Sequence, residues 1–199
     1  MNSKKDLKLD EKKRYRILIV DDNPSIHDDF KKILSAPTNF PFKQLLESLK
    51  SDISGTQKAP SIELPFDLII NSAYDGEEAL RCVSKSIEEN DPYALIFMDV
   101  VMPPGRDGIL ITQDVWTIDS DVQVVICTAY SEYSWKDMAS ILGVNDNYLI
   151  LKKPFDSIEV IQMACCLTQK WDLEHQVGHS YDRMQMRMKS QAKEMDTWL

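Results

Sequence analysis

The run from Tyr93 to Asp99 narrows the choice of folds more than any other stretch of the chain. Its six apolar residues show no alternation with polar ones, and a single carboxylate ends them before a Met-Pro-Pro-Gly turn at 102–105. A strand apolar on both faces belongs in the middle of a sheet covered on both sides, as in parallel α/β folds. Its last residue would then project from the carboxyl edge of the sheet, where open α/β sheets bind ligands. An isolated Asp after a strand is more often a helix cap or a turn residue. The reading changes because other apolar runs also end on polar groups, of complementary kinds.

Residues 16–20 form a short β-branched strand broken by Asp21-Asp22-Asn23-Pro24. Pro24 suits the first turn of a helix running to about Leu34, with Asp22 or Asn23 as its N-cap. Capping accounts for one acid of the pair and leaves the other. Residues 65–70 give a second strand, and Asp75-Gly76-Glu77-Glu78 opens a helix with acids in its first turn, where the helix dipole favours them. The Tyr93 run is the third strand. Asp107-Gly108 begins another helix, with Ile109, Leu110 and Trp116 in the core. Residues 122–128 form a fourth strand ending on Thr128, followed by a helix over about 131–142. Residues 148–152 form a fifth, followed by Lys153-Pro154, and from Asp156 the chain can be helical almost to its end. Strands alternating with helices in short units predict one doubly wound parallel sheet with right-handed crossovers.

With 199 residues the chain can hold one sizeable domain and an appendage. The net charge of -9 argues against a general nucleic-acid surface and gives no reason to expect a membrane partner. No segment reaches membrane-spanning length, and no apolar stretch follows the N-terminal lysines to make a signal peptide. Cys82, Cys127, Cys165 and Cys166 lack metal-ligand spacing and fit the reduced, buried thiols of a cytoplasmic protein. Residues 1–14 read as a disordered basic tail. Residues 35–65 read as an insertion with one short amphipathic helix carrying Leu45, Leu46 and Leu49; a connection this long is usually functional or mobile. There is no Gly-x-Gly-x-x-Gly after the first strand and no Walker-type Gly-Lys-Ser/Thr, so a nucleotide cradle is unsupported.

The strand-end residues are therefore Asp21 and Asp22, Asp99, Thr128 and Lys153. In a parallel sheet they gather at one edge, however far apart in sequence. Three crowded carboxylates repel one another, and a hard divalent cation relieves them. Mg²⁺ fits because it takes one or two carboxylates, keeps waters and accepts phosphate oxygens. Lys153 adds a second positive charge and Thr128 a hydroxyl donor. Together they describe a phosphoryl site, in which a carboxylate oxygen attacks in line while a metal and an ammonium share the charge.

At these residues the sequence resembles the receiver domain of bacterial two-component response regulators. Val20-Asp21-Asp22, Met98-Asp99-Val-Val-Met-Pro103, Cys127-Thr128-Ala129 and Lys153-Pro154-Phe155 carry the resemblance, over about residues 15–168. It implies a flavodoxin-like sheet of strand order 2-1-3-4-5. It also implies that Asp99 accepts a phosphoryl group from the phosphohistidine of a sensor histidine kinase or phosphotransfer protein. Asp22, Asp99 and the main-chain carbonyl of Val101 would hold Mg²⁺, with Asp21 acting through water. Thr128 would swing towards the phosphoryl oxygens, Lys153 would pair with the phosphate, and the Lys153-Pro154 bond would be cis. The output would be a change in the face formed by helix 4, strand 5 and helix 5. The subgroup it looks like often heads larger signalling chains.

The chain departs from the common receiver pattern in three places. The 35–65 insertion is unusual, and the loop at 102–108 is one residue longer than the common form. Receivers usually carry an aromatic switch residue three positions before the lysine, where this chain has Ile150. Tyr148 lies on the same strand face and takes the role only in a shifted register; a Tyr packed at the sheet edge is the equal alternative. Val101 and Tyr130, each two residues past a site residue, are placed to shield a phosphoaspartate from water, which predicts a long-lived phosphorylated state.

No effector domain is recognisable after the receiver. In the 169–199 extension, Val177, Tyr181, Met184, Met188, Met195 and Trp198 fall at alternating spacings of four and three, with Gln191 the polar member. That is the seam of a short coiled coil or of a helix docked on a partner, and it predicts a homodimer through this helix or through the helix 4 and helix 5 face. Gly178 weakens the helix locally, and His175 and His179 read as solvated. Two other functions compete with the switch. A metal-dependent phosphatase of the haloacid dehalogenase type needs a second Asp two residues after the nucleophile, where this chain has Val101. A scaffold with a vestigial site conflicts with every site residue being present.

Overall fold

The computed structural model describes residues 12–35, 66–129 and 133–195. Along them run β1 (Lys13–Val20), α1 (Pro24–Ser35), β2 (Phe66–Ala73), α2 (Gly76–Glu88) and β3 (Tyr93–Asp99). They are followed by α3 (Gly108–Ile118), β4 (Gln123–Thr128), α4 (Trp135–Leu142), β5 (Tyr148–Lys152) and α5 (Ser157–Met195). The five strands form one parallel sheet in the order β2-β1-β3-β4-β5. This is the doubly wound, flavodoxin-like architecture expected from the sequence. Every residue of β3 and β4 is buried, as the centre of a doubly covered sheet requires. The insertion expected over 35–65 lies outside the described residues except for Ser35, which ends α1.

Successive strand residues alternate between two cores. Leu18, Val20, Ile96, Met98, Val124 and Ile126 face the side covered by α2, α3 and α4. Ile17, Ile19, Leu95, Phe97, Val125 and Cys127 face the other, beneath α1 and the first turns of α5. The Phe30 ring lies 4.6 Å from Phe97 and 5.0 Å from Phe155, so α1 and the entry to α5 meet over the central strand. Each large apolar side chain so buried contributes roughly 1.5–3 kcal/mol.

The structure also departs from the sequence reading at several points. Strand β1 begins at Lys13, inside the tail expected to be disordered, and pairs Lys13 with Phe66. Its polar-looking start is held by Tyr15, which packs 5.1 Å from Phe66 and 6.3 Å from Trp171. Helix α4 begins at Trp135 rather than near 131, because Ser134 and Asp137 cap it reciprocally. In α3 the inward positions fall to Ile109, Ile111 and Val115, which leaves Leu110 at the surface. Of the four cysteines, Cys166 is exposed and not buried.

Helix α5 runs through Gly178 without a break and spans 39 residues, roughly 58 Å at 1.5 Å per residue. It stays on the body well past residue 168. Asp172 bonds Lys13 at 2.6 Å, and Lys170 reaches the Asp146 carbonyl at 2.6 Å. His175 is not solvated; it stacks on Trp171 with 3.9 Å between ring centroids. Leu173, Val177, Met184 and Met188 of the same helix are exposed.

Candidate functional site

Four strand ends converge on the carboxyl edge of the sheet. Asp21 follows β1, Asp99 closes β3, Thr128 closes β4 and Lys153 follows β5. Register sets them side by side: Val20 pairs with Met98, Asp99 with Cys127, and Thr128 with Lys152. Main-chain bonds from Val100 N–H to the Cys127 carbonyl (3.1 Å) and from Lys153 N–H to the Thr128 carbonyl (2.9 Å) carry the ladder past the strands.

The Lys153 ammonium donates to Asp21 Oδ2 and to Asp99 Oδ1, at 2.7 Å each. Carboxylate oxygens of Asp21, Asp22 and Asp99 lie within 4.8 Å of one another. Asp21 and Asp99 are buried, whereas Asp22 stands at the rim. Three carboxylates against one ammonium leave the group negative, and every donor is a hard oxygen. That donor set fits a divalent cation of the oxygen-seeking kind.

The turn after β1 leaves these acids available. Asn23, and not Asp22, meets the start of α1, its Oδ1 accepting from Ser25 N–H at 3.0 Å. Asp21 Oδ1 accepts from Asn23 N–H at 2.9 Å, which orients Oδ2 towards Lys153. On the other side Gly108 is a necessity of space: a Cβ there would sit 1.9 Å from the Asp99 carbonyl oxygen. Its N–H donates to the Val100 carbonyl at 2.9 Å, so the loop after Asp99 closes directly onto the start of α3. Asp107 caps that helix through Ile109 N–H (2.8 Å) and accepts from the Tyr133 hydroxyl (2.7 Å).

Electrostatics follow from burial and pairing. Burial lifts the Asp99 carboxyl above its ordinary range, with Asp21 adding to the rise, while the Lys153 hydrogen bond and charge and the Val100 amide pull the other way. Burial works to lower the Lys153 ammonium, but its bonds to Asp21 and Asp99 prevail and the net shift is upward, so it stays charged. Cys127, fully enclosed beside the site, is pushed far up by burial and remains a thiol.

Thr128 is buried and its hydroxyl donates to the Ala129 carbonyl at 3.0 Å. Val101 lies in the loop after β3 with 48 % of its surface exposed. The Lys153-Pro154 bond is cis, and so is Pro103-Pro104 in the longer loop. Tyr130 lies outside the described residues. Tyr148 is not brought to the site. It pairs with Val124 at the start of β5, and three residues separate it from Lys152 opposite Thr128. Its ring packs between Trp116 and Trp135, and its hydroxyl donates to the Gly143 carbonyl at 3.1 Å. Ile150 lies on the same face, half-buried against the same core.

His27 was missed by the sequence reading. It is buried on α1, its Nε2 lies 2.7 Å from the Asp21 carbonyl oxygen, and its ring packs 4.5 Å from Tyr74. The signal was its place on the inward stripe of α1 with Phe30 and Leu34.

With fold and site in hand, comparison with known proteins gives the class. The model of the response regulator receiver domain matches residues 61–164, and the chain belongs to that family. Strand β1 lies before the matched segment, and the sheet seats it between β2 and β3. Protein CcdB of Bacillus subtilis (strain 168) is 30% identical over 95 residues, covering 48% of this chain and 72% of that protein. Sporulation initiation phosphotransferase F of the same organism is 35% identical over 88 residues, covering 44% of this chain and 64% of that protein. Among solved structures, one described as an adenylate cyclase from Rhodopirellula baltica superposes with a TM-score of 0.60 at 22% identity, over 85% of this chain and 98% of that one. A CheY-like receiver domain protein from Methanospirillum hungatei JF-1 gives 0.52 at 17% identity, over 80% and 98%. These structural likenesses speak for the fold.

Proposed function

We propose that the chain is a phosphorylation-dependent signalling switch in which Asp99 accepts a phosphoryl group from the phosphohistidine of a sensor histidine kinase or a phosphotransfer protein. The observation that carries this reading is the Lys153 ammonium shared at 2.7 Å between Asp21 and Asp99, with the oxygens of a three-carboxylate cluster beside it. An Asp99 oxygen attacks phosphorus in line, and the imidazole nitrogen departs with the electrons of the broken P–N bond. Lys153 holds Asp99 beforehand and pairs with the phosphoryl oxygens afterwards. Thr128 exchanges its bond to the Ala129 carbonyl for one to a phosphoryl oxygen. Asp22, Asp99 and the Val101 carbonyl would hold Mg²⁺, with Asp21 acting through water, and the ion would supply neutralising charge to the transferring group.

The chemistry is confined to the protein's own phosphorylation and dephosphorylation. Val101, half-exposed beside Asp99, and Tyr130 shield the product from water and give it a long life. Replacing both with small polar residues and following loss of the phosphoryl group tests this; an unchanged rate refutes it. The output runs through the face of α4, β5 and α5, where Trp135 and Leu149 are exposed, and through pairing of two copies along the Val177, Met184 and Met188 stripe. We place the protein in the cytoplasm, in keeping with its four free thiols. Among the described residues no helix is long and apolar enough to cross a membrane, and the net charge of -9 suits no nucleic-acid partner.

The test is intact-mass analysis after acetyl phosphate and Mg²⁺, on wild type and Asp99→Asn, with light scattering on the same samples. One phosphoryl group gained by wild type and none by the variant supports the switch, and a phosphorylation-dependent change in scattering mass supports the dimer. A wild type that takes up nothing, or a variant that takes up as much, overturns the reading.

A further inference from the structure

Helix α1 buries an imidazole on a face that otherwise carries hydrocarbon. His27 shares the inward stripe with Phe30 and Leu34, and it is 1 % exposed. A polar ring enclosed in this way is costly unless its nitrogens are answered. One of them is: Nε2 lies 2.7 Å from the Asp21 carbonyl oxygen, and because a carbonyl only accepts, the proton is on Nε2. Nδ1 has no hydrogen-bond partner among the described residues. Tyr74, just past β2, packs against the ring with 4.5 Å between centroids and helps to fix its direction.

The amides that follow the Asp21 carbonyl are committed elsewhere. Asn23 N–H goes to Asp21 Oδ1 at 2.9 Å, Ser25 N–H to Asn23 Oδ1 at 3.0 Å and Ile26 N–H to the Asn23 carbonyl at 3.0 Å, while Pro24 has no N–H to give. The carbonyl belongs to the peptide unit that joins Asp21 to Asp22. With Asp21 N–H on the Ala73 carbonyl at 3.2 Å and its carbonyl on His27, the Asp21 main chain is tied to β2 on one side and to α1 on the other. Asp22 is exposed, so its direction rests on this main chain more than on packing. We propose that His27 is a positioning residue for the divalent cation: its Nε2–H sets the Asp21–Asp22 peptide unit and thereby aims both carboxylates at the point where the oxygens of Asp21, Asp22 and Asp99 converge. Loss of such an indirect partner costs about 10–100-fold in metal affinity. The inference rests on the cation reading of the cluster and adds to it a residue that touches no ion.

The test measures binding of Mn²⁺, an ion of the same oxygen preference, to the full chain through loss of the free-ion signal in electron paramagnetic resonance. His27→Phe keeps a ring of similar size and removes the donor. His27→Gln returns an amide nitrogen to the place of Nε2, and His27→Asn offers one only at the place of Nδ1. Leu34→Ala loosens the same helix face without touching Asp21, and Asp22→Asn removes a carboxylate of the cluster. We expect binding at least about 10-fold weaker in His27→Phe and His27→Asn, while His27→Gln and Leu34→Ala bind as wild type does. Wild-type affinity in His27→Phe, no recovery in His27→Gln, or equal weakening in Leu34→Ala overturns the proposal. Should His27→Phe fail to fold, the other pair decides: His27→Gln tighter than His27→Asn by about 10-fold supports the role, and equal affinities overturn it. A wild type that binds Mn²⁺ no better than Asp22→Asn removes the cation reading and the inference with it, whereas a wild type that binds it and a His27→Phe variant that binds it equally overturn the inference alone.

Discussion

Asp99 and Asp119 sit at opposite edges of the same sheet, each 8 % exposed and each lifted by burial above the ordinary carboxylate range. They differ in what answers the charge. Asp99 closes β3 at the carboxyl edge, where β5 delivers Lys153 and a second aspartate shares it. Asp119 is the C-cap of α3, and it meets an amide and an imidazole. The carboxyl edge is thus a site in which the chain supplies one cation and leaves surplus acid for another. At the amino edge no lysine or arginine among the described residues pairs with the buried acid. The same burial therefore sets one carboxylate against an ammonium and leaves the other to a main-chain amide and an imidazole.

The largest expected effect removes the supplied cation. In Lys153→Met two buried carboxylates lose their partner, and urea unfolding should show a loss of about 2–4 kcal/mol, below the full cost of a fully buried pair because the ammonium is partly exposed. A loss under about 0.5 kcal/mol, the level of an ordinary surface substitution, would erase the distinction between the two edges. Next is Gly108→Ala, which drives a methyl into the Asp99 main chain. Overpacking of this kind costs about 1–3 kcal/mol, and phosphoryl uptake should slow with it because the displaced atoms belong to the acceptor residue. Uptake at the wild-type rate would show that the loop gives way without moving Asp99.

The third prediction concerns pH. An acid whose folded value is raised binds more protons folded than unfolded, so its contribution to stability grows as pH falls from neutral towards the ordinary carboxylate range and is lost as pH rises through the raised value. Asp119→Asn removes this component. Its stability should exceed that of wild type at pH 7 and converge on it near pH 4, about the ordinary carboxylate value. A constant difference across that window would mean that Asp119 does not titrate above its ordinary range. The smallest effect on stability lies on the outer face of α5. Met184→Ser with Met188→Ser should change unfolding free energy by no more than about 0.5 kcal/mol while lowering the self-association seen by light scattering. Unchanged scattering would remove the tail stripe from the account.

The fold and the carboxyl-edge site were legible because both rest on unbroken apolar runs and on strand ends. A run such as 93–99 states its depth in the sheet, and in a parallel sheet the residue after each run must lie at one edge. What escaped notice rests on neighbours distant in sequence or on phase. Leu110 and Ile111 differ by one step around α3, and apolarity alone cannot choose between them. His27 looks like a surface residue until its place beside Phe30 on the inward stripe is counted. Tyr148 shares a face with Ile150, as periodicity says, but the face says nothing of position along the strand, and Trp116 and Trp135 claim the ring. His175 is four residues from Trp171, the spacing at which side chains on a helix meet.

The most direct test of the central claim locates the modified atom. Protein treated with acetyl phosphate and Mg²⁺ is reduced with borohydride, which converts an acyl phosphate of aspartate to homoserine, and the peptides are then sequenced by mass spectrometry. The account predicts homoserine at position 99 alone, and none when Mg²⁺ is withheld. Homoserine at Asp21 or Asp22, or its absence from every acid at the carboxyl edge, would contradict it.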